Sequence, residues 1–209
     1  MRRRVWIWGI PALLYASFVF WYTDFGGPLR PDEIASVLAK LEANGAKPEG
    51  LAKIRRFMET DSGRQFLMVN LIDMNEDPPD VPGAEPGESG WQLMDRYMEH
   101  MYPQLFMRGC HPVTIGDAVH TAMDVAGIEG AESWDAAALM RYRSRRSLME
   151  IVTIPETLGR HEFKMAALTK TIAFPIETRL FLGDPRLLLG LILFGVAALL
   201  EITGARARG

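Results

Sequence analysis

The stretch "ALMRYRSRRSLMEI", Ala138 to Ile151, changes its periodicity halfway along, and that change decides the fold. From Leu139 the residues alternate. Arg141 and Arg143 fall on one side of an extended chain, and Met140 and Tyr142 fall on the other. Ser144 then offers a side-chain oxygen at an N-cap, and "SRRSLMEIV" reads as a helix. A strand from Trp134 to Ser144 therefore runs into a helix, and the four arginines split into two pairs. Arg145 and Arg146 sit in the first helical turn, where positive charge opposes the helix dipole and requires compensation. Glu150, four residues beyond Arg146, is the nearest acidic candidate.

Upstream, "GRQFLMVNLIDM" reads as an apolar strand preceded by a turn. The acidic, proline- and glycine-rich "NEDPPDVPGAEPGESG" reads as a long exposed loop. A helix is expected over Gly90 to Leu105, carrying Leu93, Tyr97, Met101 and Leu105 on one face, with Pro103 expected to bend or end it. His111 to Ala126 is expected to form a hairpin of two modest strands. Downstream, "GRHEFKMAALTK" reads as a helix and "TIAFPIE" as a closing extended segment. This order approximates the ferredoxin-like split β-α-β arrangement, an α+β fold whose sheet has helices on one face. The other face needs a partner, and a second copy of the chain is the simplest one.

Both ends of the chain are apolar. "VWIWGIPALLYASFVFWYT", Val5 to Thr23, holds no charge and would extend about 28 Å as a helix, close to the thickness of a bilayer core. Trp6, Trp8, Trp21 and Tyr22 sit at its two boundaries, as aromatic residues do at membrane interfaces. A cleaved signal peptide is the competing reading, but "YTDFGGP" lacks a small-x-small cleavage site. The second run, Arg186 to Gly204, has a shorter uncharged core and reads as a second crossing. Its glycines form no small-xxx-small pattern. Arg2, Arg3 and Arg4 precede the first run, and Arg206 and Arg208 lie beyond the second. The positive-inside rule then puts both termini in the cytoplasm and the intervening domain in the periplasm or outside the cell. The expected organisation is a transmembrane anchor over 1–24, a helical stalk or hairpin over 25–63, the α+β domain over 64–178 and a second transmembrane helix over 185–204.

Removing those five arginines from the formal net charge of −3 leaves −8 for the remainder. A domain that is acidic on balance and placed outside the cytoplasm is a poor nucleic-acid ligand. The single cysteine, Cys110, excludes an internal disulfide and a cysteine-based metal cluster. No phosphate-binding loop, dinucleotide fingerprint or nucleophile elbow is present, and no cofactor is implied.

The segments "FLMVNLIDM", "YMEHMYPQLFMRGCHPV", "WDAAALMRYRSRRSLMEIV" and "HEFKMAALTKTIAFPIE" resemble a largely uncharacterised bacterial family of the dimeric α+β barrel superfamily, over roughly Arg64 to Glu177. The resemblance implies a ferredoxin-like domain that pairs into a dimeric α/β barrel. It does not choose among the enzymes and binding domains that share the fold.

Four residues are candidates for a site. Asn70 is polar within an apolar strand and shares parity with Phe66, Met68, Ile72 and Met74, so it is a candidate for binding a polar ligand atom in an apolar cavity. Arg141 can take a carboxylate or phosphate in two-point fashion, with Arg143 nearer the strand end. His161, near Glu162 and Lys164, is the candidate proton shuttle. The methionines, including Met68, Met74, Met94, Met98, Met101, Met107, Met140 and Met149, either line an adaptable apolar pocket or fill the core. Two functions fit these residues. One is a membrane-anchored domain that binds a small apolar or weakly anionic molecule or supports a membrane assembly. The other is a small isomerase or cofactor-independent monooxygenase acting on an apolar carbonyl, aromatic or quinone-like compound.

Overall fold

The computed structural model describes residues 2–206, and the chain divides into two compact units, one made of 26–177 and the other of the two chain ends. Arg208 lies outside the described residues.

Within 26–177, the helices α2 (Pro31–Ala43) and α3 (Pro48–Glu59) precede the strand β1 (Phe66–Met74). Next come α4 (Gly90–Met107), β2 (His111–Asp117), β3 (Ala136–Tyr142), α5 (Arg145–Val152), α6 (Pro155–Ala167) and β4 (Leu168–Ile176). The strands form one antiparallel sheet in the order β2-β3-β1-β4. That order, with a helix after β1 and two after β3, is a ferredoxin-like topology. The barrel expectation is overturned. The sheet is open, with β2 and β4 as its two edges, and four strands do not close upon themselves.

The β1–β3 register pairs Phe66 with Tyr142, Met68 with Met140 and Asn70 with Ala138. Phe66, Met140 and Tyr142 join the main hydrophobic cluster, where Phe66 stacks on Tyr142 at 5.2 Å between ring centres. Helices α2 and α3 contribute Ile34, Leu38 and Met58 to that cluster, so they belong to the same core as the sheet. Met74, Leu93, Phe163 and Ala167 form a second cluster where α4 and α6 meet the far end of β1. The opposite sheet face, with Leu67, Val69, Leu71, Leu139, Ile172 and Phe174, contributes no residue to either cluster, and Phe174 is 45% exposed.

Two local expectations change. Only one strand, β2, lies between His111 and Ala126, and it pairs with β3 across a long connection over 118–135. Gly127 and Gly130 adopt positive φ within that connection, and Ala118 N donates to Asp135 O and Ala122 N to Glu132 O, which closes a loop in place of a second strand. Helix α4 continues through Pro103 to Met107. Its start is fixed by Ser89, whose hydroxyl accepts from Gln92 N while the Gln92 side chain accepts from Ser89 N.

The other unit contains α1 (Arg2–Tyr22) and α7 (Pro185–Arg206), each long and apolar enough to cross a membrane. They pack against one another, with Trp8 and Phe194 at 5.6 Å between ring centres. Glu201 is met by Trp8 Nε1 at 2.7 Å and by Arg4. Gly190 has a role its spacing did not reveal: a Cβ there would lie 3.3 Å from the Tyr15 ring, so its missing side chain admits that ring.

Gly90 is the tightest joint behind the cavity side of the sheet. A Cβ there would meet Asn75 O at 2.6 Å and Ala167 O at 2.7 Å, both of them backbone atoms that tie the end of β1 to α6. Gly90→Ala is expected to destabilise the fold by about 1–3 kcal/mol, an overpacking cost, read as a lower denaturant midpoint for the full chain in mild detergent.

Candidate functional site

Two cavities, both open to solvent, lie on the helix-covered face of the sheet. One, of about 230 Å³, lies against α4 and is lined by Asn70, Met94, Met98, Met140 and Thr171 among others. The second, of about 730 Å³, lies toward α3, α5 and α6 and is lined by Phe57, Met68, Met149, Leu158 and His161 among others. They share Tyr97, Met101, Tyr142 and Lys164. Those four residues are where the two spaces meet.

Each shared residue is placed by a simple pattern. Tyr97 lies one helical turn from both buried Leu93 and buried Met101 on α4. Tyr142 belongs to the β3 parity that faces the helices. Lys164 is seven residues after buried Thr157 and three before buried Ala167, on the inward stripe of α6. A lysine on such a stripe is unusual, because its ammonium is costly to desolvate.

Among the described residues, the Lys164 ammonium has no hydrogen-bond or ion-pair partner; its compensation is the Tyr97 ring, 5.8 Å from Nζ to the ring centre. The Tyr97 and Tyr142 hydroxyls also lack a hydrogen-bond partner among these residues. No fully buried side-chain polar atom there is without a partner, so these three groups open onto cavity space. Desolvation lowers the Lys164 pKa below the ordinary 10.5. It pushes Tyr97 up to about 12 and Tyr142 higher still. Both phenols therefore remain donors at neutral pH.

Two of the residues singled out from sequence border this space. Asn70 Nδ2 donates to Met68 O at 3.1 Å and Ala138 O at 3.3 Å, so part of its polarity is spent on the sheet itself. Its Oδ1 receives no donor from the described residues. His161 stands at the exposed rim of the larger cavity with its ring edge-on to Tyr97 at 6.5 Å. Desolvation there, with the nearby Lys164 charge, lowers its pKa below 6.5.

The arginines lie elsewhere. Arg141 has the opposite parity, so its neighbours Met140 and Tyr142 line the cavities and it does not. It is fully buried, donates from Nε and Nη2 to Gln65 Oε1 at 3.0 and 2.7 Å, and donates from Nη1 to the Gly109 carbonyl. Arg143 donates from Nε to Ser147 Oγ at 3.3 Å, and its backbone N–H donates to Cys110 Sγ. Arg145 pairs with Asp61 and Glu177 and lies over the Phe57 ring. Arg146 pairs with Glu33 at 2.8 Å instead of Glu150, which is taken by Arg108. This supplies the compensation demanded at the start of α5, and Ser144 caps that helix by accepting from Ser147 N. Asn70, Arg141 and His161 are consequently not gathered at one point.

No group of three or more potential metal-ligating side chains occurs among the described residues. The polar groups lining the cavities include the Lys164 amine, the Tyr97 and Tyr142 phenols and the Asn70 amide. That set can bind an oxygen atom by donation and leaves an apolar remainder against methionine side chains.

No protein-family model matches this chain, and no curated protein matches it. Among solved structures it is similar to RPA0582, a protein of unknown function from Rhodopseudomonas palustris, with 19% identity and a TM-score of 0.51 over 65% of this chain and 96% of that one. The methylated form of RPA0582 aligns likewise, with 19% identity and a TM-score of 0.52 over 66% of this chain and 96% of that one. At such identity the likeness concerns the fold: an α+β, ferredoxin-like-related domain, here bounded by two apolar helices.

Lys164 also has a predictable effect on stability. A lysine with a depressed folded pKa binds fewer protons in the folded state than in the unfolded one between its folded value and 10.5. Its contribution is therefore most favourable above 10.5 and is lost as pH falls through the folded value. Lys164→Met removes this dependence and is expected to stabilise the fold by about 1 kcal/mol at neutral pH, as replacement of a desolvated charge by a packed apolar group does. Denaturant midpoints of both proteins across the alkaline range check the sign.

Proposed function

We propose that this protein binds a small, largely apolar molecule bearing one oxygenated end in the cavities beneath its sheet. The observation that carries this reading is the convergence of Lys164, Tyr97 and Tyr142, without hydrogen-bond partners, on an otherwise methionine-rich space. These three donors have no protein acceptor among the described residues, so a ligand oxygen entering the space would find donors not already committed to the fold. Asn70 is a further contact for the oxygenated end. A catalytic reading, proton transfer on an apolar carbonyl compound, is supported by His161 at the rim, because a lowered pKa keeps its imidazole neutral and able to accept a proton. Arg141 and Arg143 serve in this scheme by fixing β3 and the start of α5.

The terminal helices anchor the domain in the cytoplasmic membrane. The arginines flanking them favour cytoplasmic termini and a domain in the periplasm or outside the cell. A second copy of the chain covers the Val69–Leu139 sheet face, a reading supported by the apolar residues there that neither core uses. Native mass spectrometry in mild detergent is expected to give two chains per particle, and a single chain would overturn the dimer.

Benzyl alcohol, an apolar ring with one hydroxyl, tests the cavity. Ligand-observed NMR with the full chain in lipid nanodiscs should detect saturable binding. Replacing both Tyr97 and Tyr142 by Phe should weaken it about tenfold, the loss of one to two hydrogen bonds of ordinary strength. Undiminished binding by that variant would remove the phenols from the site.

A further inference from the structure

We propose that Lys164 is a nucleophile that captures apolar aldehydes in the cavity as an imine. The inference rests on the ligand-binding reading and names the ligand class. Three features of the site lead to it. The Lys164 amine opens onto the junction of two cavities and lacks the carboxylate that would hold it as an ammonium: no acidic residue lines the larger cavity, and the acids at the smaller one, Asp95 and Asp117, are exposed. The walls around it are apolar, so the neutral amine and a neutral carbonyl are the forms the space favours. The Tyr97 and Tyr142 hydroxyls remain donors at neutral pH and face the same junction, where they can polarise a carbonyl oxygen. Depression of the Lys164 pKa by the same burial raises the share of free amine.

The chemistry balances within the site. Nζ attacks the carbonyl carbon and forms a C–N bond, giving a carbinolamine. The carbonyl oxygen then leaves as water with the two protons of the amine, and a C=N bond remains. No oxidant or reductant is consumed. A carboxylate ligand would instead stop at an ion pair with the ammonium, so the amine distinguishes aldehydes from acids by forming a covalent bond with the aldehyde alone.

The test uses the full chain in lipid nanodiscs at neutral pH, with benzaldehyde as probe, cyanoborohydride to reduce any imine, and peptide mapping of the resulting benzyl groups. The expected result is about tenfold more adduct on Lys164 than on exposed Lys40 or Lys47, with excess benzyl alcohol suppressing the Lys164 adduct alone. Lys164→Arg, which keeps the cation, should lose that adduct without changing labelling elsewhere. If benzyl alcohol binds but Lys164 is labelled no more than Lys40, imine capture is overturned and the binding reading stands. Preferential labelling of Lys164 that benzyl alcohol leaves untouched would overturn capture within the cavity. Absence of both binding and preferential labelling overturns both readings.

Discussion

The register between β1 and β3 is the constraint on which the rest of the domain depends. Phe66 opposite Tyr142 and Met68 opposite Met140 place one parity of each central strand under the helices and the other parity on the opposite face. A slip of one residue would exchange the two sets, bringing Arg141 under the helices and sending Tyr142 away from them. Stacking of Phe66 on Tyr142 and burial of Met140 oppose such a slip. So do the bonds from Arg141 to Gln65 and to the Gly109 carbonyl, which tie β3 to the entries of β1 and β2.

The same register explains why the polar groups of the cavity are not the most conspicuous ones in the chain. A guanidinium buried at Arg141 is tolerable because its donors are met by fixed acceptors. An ammonium at Lys164 has no such acceptors, and its desolvation is offset only by the face of the Tyr97 ring. The two cations are both withdrawn from solvent, yet one is spent on the fold and the other is not.

The junction after β3 shows how the remaining arginines serve the fold. Ser144 turns the strand into α5, and Arg145 and Arg146 reach from its first turn to acids on other segments, Asp61, Glu177 and Glu33. These contacts draw α2, α3 and the end of β4 to one corner. They also relieve the unfavourable position of positive charge at a helix start, which a pair within the helix would have done less fully.

The sequence by itself determined the α+β class, the ferredoxin-like order of elements and the two apolar ends, because alternation, helical recurrence and length without charge are local properties. Strand parity likewise placed Asn70 with Phe66 and Met68, and separated Arg141 from Tyr142. It did not determine that the sheet stays open, since closure depends on how strand edges meet in space and not on any one strand's pattern. The 118–135 connection misled for a related reason: Val119, Met123 and Val125 alternate with polar residues much as a strand does, but their segment has no partner strand. Only the tertiary structure decided which polar groups were already satisfied. Arg141 looked available until Gln65 and Gly109 were brought beside it, and Lys164, met in the sequence only as a neighbour of His161, became a cavity residue once α4, α6 and the sheet came together. A signal was present in its place on the inward stripe of α6, three residues before Ala167. What that signal lacked was the identity of its neighbours, because desolvation and the absence of an acid depend on residues far apart in the chain.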